Sequence, residues 1–308
     1  MRIGDIQLKS NLMFAPIAGF SDAGARHLSA RFGAGLLYTE MVSAKGLCYG
    51  GRGTEDLLHT TDTGVPTAVQ IFGSEPEYIY KACRDERLHK FDIIDINMGC
   101  PVRKIVTNGE GSALMENPSL IEEIVASAKE GGKRPVTVKI RAGVKMGEIL
   151  AVECALAAEK GGADMVAVHP RFREQMYAGF ADHTITKMVK DAVKIPVVAN
   201  GDIVDKSSLE KVKEISGADG FMIARGALGK PYIFSQLQGI EYTYDNKSAV
   251  LEHIEILRST LPDRVVANMM KLHLCHYAKN TGNTKAVRMA LATATDLDGI
   301  LKLVDEYL

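Results

Sequence analysis

Asp95-Ile96-Asn97-Met98-Gly99-Cys100-Pro101 sets an amide, a flexible glycine and a thiol in succession at the end of an apolar run, Phe91 to Ile96. The run reads as a buried strand, and the proline fixes the backbone just after the thiol. A thiol in such a turn can present its S–H to a bound molecule. An ordinary pKa of about 8.5 keeps it protonated near neutrality, so it can serve as an acid. Inert burial is the common fate of a free cysteine, and Cys48, Cys83, Cys154 and Cys275 have no setting that lifts them from it. The cysteines are odd in number and none is spaced Cys-x-x-Cys, which argues against a disulfide scaffold or a zinc ribbon. His273, Cys275 and His276 cluster but lack a second ligand pair, so no metal is expected.

A thiol acts only if a fold positions it. Eight short apolar runs recur along the chain: Leu12–Pro16, Leu36–Glu40, Thr67–Phe72, Asp92–Asn97, Val136–Ile140, Met165–His169, Val197–Asn200 and Gly220–Ala224. Their unbroken apolar character is that of parallel strands covered on both faces. Amphipathic stretches lie between them. Pro118–Lys129 puts Leu120, Ile121, Ile124 and Val125 on one stripe, and Ser207–Ile215 does the same with Leu209, Val212 and Ile215. Eight alternations predict an α/β fold, a (β/α)8 TIM barrel over residues 1–240. The rival, an open doubly wound sheet, would open on a complete Gly-x-Gly-x-x-Gly, and the chain has none. Gly239 to Ser248 is polar and aperiodic and reads as a linker. Beyond it only helical patterns occur, Val250–Leu257, Val265–Lys279, Lys285–Thr293 and Gly299–Tyr307, predicting a C-terminal all-helical domain over 241–308. No stretch is a membrane span or a signal peptide, so a cytoplasmic location is expected, with no membrane and no evident protein partner.

Polar residues gather where these strands end: Gln70, Asn97, Lys139 with Arg141, His169 with Arg171, Asn200, and Arg225. Strand C-terminal ends are where such barrels build active sites. After the last two strands, Asn200-Gly201-Asp202 and Ala224-Arg225-Gly226 put glycine beside the strand end. Backbone N–H groups there, with Arg225 and His169, suit a phosphate.

Strand, Asn-x-Gly-Cys-Pro and the continuation Asn108-Gly109-Glu110-Gly111-Ser112-Ala113-Leu114 together resemble the active-site segment of the bacterial tRNA-dihydrouridine synthases. Further matches run through the barrel in order: Ala15-Pro16-Ile17-Ala18-Gly19-Phe20-Ser21-Asp22, Thr39 to Lys45, Gln70 to Ser74, Val138 to Gly143, and Arg173-Glu174-Gln175-Met176-Tyr177. The resemblance implies FMN over the barrel mouth. Pro16 and Ala18 would face its ring, and Gln70 and Lys139 would contact the flavin or its ribityl chain. His169, Asn200, Gly201, Asp202, Ala224, Arg225 and Gly226 would serve the ribityl-phosphate end. It also implies NADPH as reductant and tRNA as partner. One departure falls after the sixth strand, where the family usually has His-Gly-Arg-Thr-Arg and this chain has His169-Pro170-Arg171-Phe172-Arg173. Proline removes a donor and Phe172 replaces a small hydroxyl. The chain also has no Trp, which the family's C-terminal helices often carry.

The chemistry implied is reduction of uridine to 5,6-dihydrouridine. The carbon 5–carbon 6 double bond of uracil is conjugated with a carbonyl, so hydride adds at carbon 6 and a proton at carbon 5. Cys100 is the expected acid, and Asn97, Arg141 and Arg171 the expected partners of the base. Overall net charge is −1, so any RNA site must be a local patch. Arg264, Lys271, Lys279, Lys285 and Arg288 supply one, with no Asp or Glu among them. Of these, Lys271, Lys279 and Arg288 are the expected RNA contacts. Two other readings remain open. One is an FMN enzyme on a free pyrimidine, resembling dihydroorotate dehydrogenase. The other is an RNA-binding protein with a vestigial flavin site.

Overall fold

The computed structural model describes residues 1–51 and 53–308. Eight parallel strands close into a barrel: β3 (Leu12–Phe14), β4 (Leu36–Ser43), β5 (Thr67–Phe72), β6 (Ile93–Met98), β7 (Val136–Gly143), β8 (Met165–Phe172), β9 (Val197–Asn200) and β10 (Gly220–Ile223). β10 closes onto β3 through the pairs Phe221–Leu12 and Ile223–Phe14. The (β/α)8 expectation therefore holds. Two further strands, β1 (Arg2–Ile3) and β2 (Ile6–Gln7), form a hairpin that periodicity did not reveal. Ile3 and Leu8 pack with Met13, Leu36, Ile93 and Met165, so the hairpin plugs the N-terminal end of the barrel.

Alternation along each strand decides what lies inside. Met13, Tyr38, Ala68, Ile93, Met165, Ala167, Val198 and Met222 form the interior cluster. Val69, Ile71, Ile94, Ile96, Val138, Ile140, Val166 and Val168 pack outward against helices such as Pro118–Gly132 and Ala151–Lys160. Residues two apart share a face. Gln70 therefore continues the inward row of Ala68, Lys139 that of Thr137, and His169 that of Ala167. Gln70, Lys139 and His169 are thus in the top interior layer and not at strand ends, whereas Asn200 does end β9. β5, β7 and β8 run on past Gln70, Lys139 and His169, because Ile71, Ile140 and Phe172 still bury outward-facing apolar surface.

Helices Asn246–Arg258, Asp263–Tyr277, Thr284–Leu291 and Leu297–Tyr307 follow the barrel. Val250, Ile254, Leu257, Val266, Met270, Leu274, Ile300 and Val304 form their core, and Leu28 of the barrel helix Ala23–Arg31 is part of it. The segment read as a linker is shorter than expected, since helix begins at Asn246 behind an Asp245 cap. It is also docked: Tyr242 stacks on Tyr232 at 5.3 Å between ring centres, and Tyr244 lies against Phe32. Among the described residues no helix is long and apolar enough to cross a membrane.

Candidate active site at the barrel mouth

The Met98–Pro101 turn is held from both sides. Asn97 Oδ1 accepts from the N–H groups of Gly99 (3.2 Å) and Cys100 (2.9 Å). The Cys100 carbonyl accepts from the N–H (3.0 Å) and hydroxyl (2.9 Å) of Ser112. Gly111 makes that approach possible: it sits at φ +61°, and a Cβ there would lie 2.8 Å from the Cys100 oxygen. The thiol is half-buried, and burial raises its pKa above the ordinary cysteine value, so it carries its proton at neutral pH.

Around it the interior layer is cationic. Lys139 lies half-buried with no hydrogen-bond acceptor among the described residues. Burial and the neighbouring Arg141 pull its pKa down to about 8. His169 is held neutral, well below its usual range, by burial and by Lys139, Arg141, Arg171 and Arg225. The Arg171 guanidinium lies 3.1 Å from His169 Nε2. An arginine can only donate, so Nε2 accepts and the imidazole proton sits on Nδ1.

Arg141 and Arg171 are almost wholly buried. Arg141 donates to the carbonyls of Gly99 (2.7 Å), Phe172 (3.3 Å) and Met176 (2.9 Å). Arg171 donates to those of Ala178 and Gly179 and pairs at 2.7 Å with Asp202. Both thus brace the loop after β8. Arg171 is largely engaged there and also donates toward His169, whereas Arg141 Nη2 has no partner among the described residues and stays available for a bound group. Asn97 donates its amide to Gln70 Oε1 at 2.8 Å. Asp202, read as a group for the phosphate end, takes Arg171, the Ala181 N–H and Arg225. Burial opposes its ionisation, but these donors outweigh it and hold its pKa below the ordinary value. Its carboxylate therefore aims Arg171 and Arg225.

Beside Asp202, Arg225 is 53% exposed on its side chain, and Asn200 donates to the Met222 carbonyl at 2.8 Å. Gly201, Ala224 and Gly226 lie half-buried beside them, and Pro16 and Ala18 reach the surface on the loop after β3. The Phe172 side chain packs outward with Ile185 and Val189, while its carbonyl accepts from Arg141.

Lys271 and Lys279 lie away from this layer, on and just beyond helix Asp263–Tyr277, and Arg288 on Thr284–Leu291. None of Arg264, Lys271, Lys279, Lys285 and Arg288 joins an ion pair among the described residues. The long helix lies against the loop after β3: Phe20 meets the rings of His273 and His276 edge-on at 5.3 and 5.1 Å. Beside them Asp22 is fully sequestered, 2.9 Å from His253 Nε2 and 2.7 Å from His273 Nε2. These are hydrogen-bond separations. Ligands about 2.0–2.1 Å from a tetrahedral zinc would stand about 3.3 Å apart, so the trio reads as a clamp between barrel and helices. Sequence reading missed Asp22, His253 and Asp95. The only signal for Asp95 was a carboxyl inside an otherwise apolar strand.

A sequence profile described as dihydrouridine synthase matches residues 13–307. A probable tRNA-dihydrouridine synthase of Rickettsia conorii is 35% identical over all of this chain and 96% of its own length. A tRNA-dihydrouridine synthase B of Vibrio parahaemolyticus is 36% identical over 91% of this chain and 89% of its own. Among solved structures, a variant of NCR from Zymomonas mobilis superposes with a TM-score of 0.57 at 15% identity, over 80% of this chain and 92% of its own, a likeness of fold alone. With a profile spanning nearly the whole chain and full-length relatives above a third identical, the chain belongs to the dihydrouridine synthase family.

Proposed function

We propose that this protein reduces uridine to 5,6-dihydrouridine in tRNA, with NADPH as reductant and FMN as cofactor. The observation that carries the proposal is a protonated, half-buried Cys100 fixed in a braced turn beside a cationic layer in which Lys139 has no acceptor among the described residues. That donor set fits FMN. Lys139 has no acceptor of its own and would meet the electron-rich edge of the ring. Arg225, aimed by Asp202 and flanked by Gly201, Ala224 and Gly226, would meet the phosphate. Pro16 and Ala18 would face the ring, with Gln70, His169 and Asn200 along the ribityl chain. Bound there, the flavin supplies hydride chemistry at carbon 6 of uracil.

The chain's own residues do the rest. Cys100 gives its proton to carbon 5, and burial keeps that proton in place until it is needed. Asn97 holds the thiol's turn, and its Nδ2 also lies 3.7 Å from Met41 Sδ, a weak acceptor that a carbonyl of the base would replace. Arg141 and Arg171 shape the loop over the mouth. We assign 1–240 to catalysis and 241–308 to RNA binding. Arg264, Lys271, Lys279, Lys285 and Arg288 offer phosphates five cations that join no ion pair among the described residues. A uridine in folded RNA must leave its stack to reach the mouth, at a cost of a few kcal/mol.

The test is direct. Purified protein, NADPH and an unmodified tRNA transcript should yield dihydrouridine on nucleoside mass spectrometry. Reduction of free orotate in place of RNA, or no flavin released on denaturation, would overturn the proposal.

A further inference from the structure

Asp95 is wholly buried at the centre of the barrel, one inward position below Asn97 on β6. Its Oδ2 accepts from Gln70 Nε2 at 2.7 Å and its Oδ1 from the Thr137 hydroxyl at 2.5 Å. Gln70 Oε1 in turn accepts from Asn97 Nδ2, and Asn97 Oδ1 accepts from Gly99 and Cys100 N–H. The register makes this chain possible, since Gln70 pairs with Asp95 and Asp95 with Thr137 across adjacent strands.

The direction of every bond in this chain follows from its first member. A carboxylate only accepts, so Gln70 must turn its NH2 toward Asp95. Its oxygen then faces Asn97, which must answer with NH2. The Asn97 oxygen is left facing the two turn N–H groups. With no acceptor at position 95, either amide can flip by half a turn. A flipped Asn97 sets donor against the Gly99 and Cys100 N–H groups, and the turn opens. Lys139 lies near enough to stabilise the buried charge, and burial raises Asp95 only to about 6.

We infer that Asp95 is a positioning residue for Cys100: through the amides of Gln70 and Asn97 it fixes the Met98–Pro101 turn and so the direction of the thiol. This rests on the proposed role of Cys100, but its test does not depend on that role. A purely structural Asp95 would affect stability and leave the thiol's surroundings alone.

Asp95→Ala and Asp95→Asn are compared with the parent as flavin-loaded full chains. Asparagine keeps the direction of the chain without the charge. Its Oδ1 accepts from Gln70, and its NH2 donates to the Thr137 hydroxyl, which can accept as readily as donate. The first readout is alkylation of Cys100 by iodoacetamide, resolved by peptide mass spectrometry and expressed against Cys48 in the same sample. The second is single-turnover reoxidation of prereduced enzyme by unmodified tRNA. Asp95→Ala should change the Cys100-to-Cys48 ratio about fivefold or more and slow reoxidation about tenfold or more, the scale of one lost orienting contact. Asp95→Asn should stay within about twofold of the parent in both. An unchanged ratio in Asp95→Ala overturns the inference, even if the variant is less stable. So does an asparagine variant as disturbed as the alanine one. If Asp95→Ala does not fold, Gln70→Met cuts the chain one link later at similar volume and carries the same expectation. If Cys100→Ala reoxidises like the parent, the acid assignment fails, while the alkylation ratio still decides the role of Asp95.

Discussion

Replacing Asp22 by alanine should loosen the C-terminal helices from the barrel. The Asp22 carboxylate is buried between His253 and His273, one from each of two C-terminal helices, and its Oδ1 also caps Ala23–Arg31 by accepting from Ala25 N–H at 2.9 Å. Closure is tight there, since a Cβ on Gly24 would lie 2.1 Å from His253 Cδ2. Alanine strands two imidazole N–H groups and an uncapped helix N-terminus in a site closed to solvent. Breaking a buried charged contact of this kind costs about 3–5 kcal/mol. Asparagine can accept from one imidazole and donate to the other after a tautomer switch, so about half that loss is expected. The assay is urea unfolding of the flavin-loaded chain followed by circular dichroism, with limited proteolysis of residues 239–246 as a local probe. Asp22→Ala should add an early transition and expose that segment to protease. Stability within about 1 kcal/mol of the parent, with no new cleavage, would refute the clamp. Acid should act in the same direction. Burial depresses His273 below its ordinary 6.5, so the unfolded chain binds the extra proton and stability falls as pH drops below that value. For Asp22, burial opposes ionisation, but the two imidazoles outweigh it and lower its pKa. Its contribution is full above 3.8 and is lost as pH falls through the depressed value.

Arg225→Ala should weaken FMN about 10–100-fold by equilibrium dialysis, the worth of one charge-assisted bond to phosphate. Among Lys271→Ala, Lys279→Ala and Arg288→Ala, each should lower the salt slope of tRNA binding by about one unit without changing flavin content. The rate of flavin reoxidation by tRNA should stay level through neutral pH and decline only above pH 9.0, because burial raises Cys100 and the acid form is the one required.

The barrel was legible because strands covered on both faces leave unbroken apolar runs, and Val136–Ile140 or Met165–His169 could hardly be anything else. The helical tail was legible from its period. Two-residue strands such as Arg2–Ile3 leave no period to read, so the hairpin was not. Residue type gave the membership of the mouth but not its directions. Arg141 and Arg171 read as cations for a base. Buried guanidiniums with five donors each also turn to nearby carbonyls, those of Gly99, Met176, Ala178 and Gly179, which residue type alone does not show. Asp22 meets His273 across 251 positions, beyond any local pattern. Asp95 lies within the motif, but a carboxyl in a strand means something only once Gln70 and Thr137 are known to face it.

The central claim is that the Cys100 thiol protonates the base. Prereduced parent and Cys100→Ala enzymes, each loaded with FMN, are mixed with excess unmodified tRNA in a single turnover, and flavin absorbance is followed. The variant should bind flavin and accept electrons from NADPH as the parent does, yet reoxidise about 10²–10⁴-fold more slowly, the usual contribution of a positioned acid. Reoxidation at the parental rate would contradict the account and leave Cys100 a structural thiol.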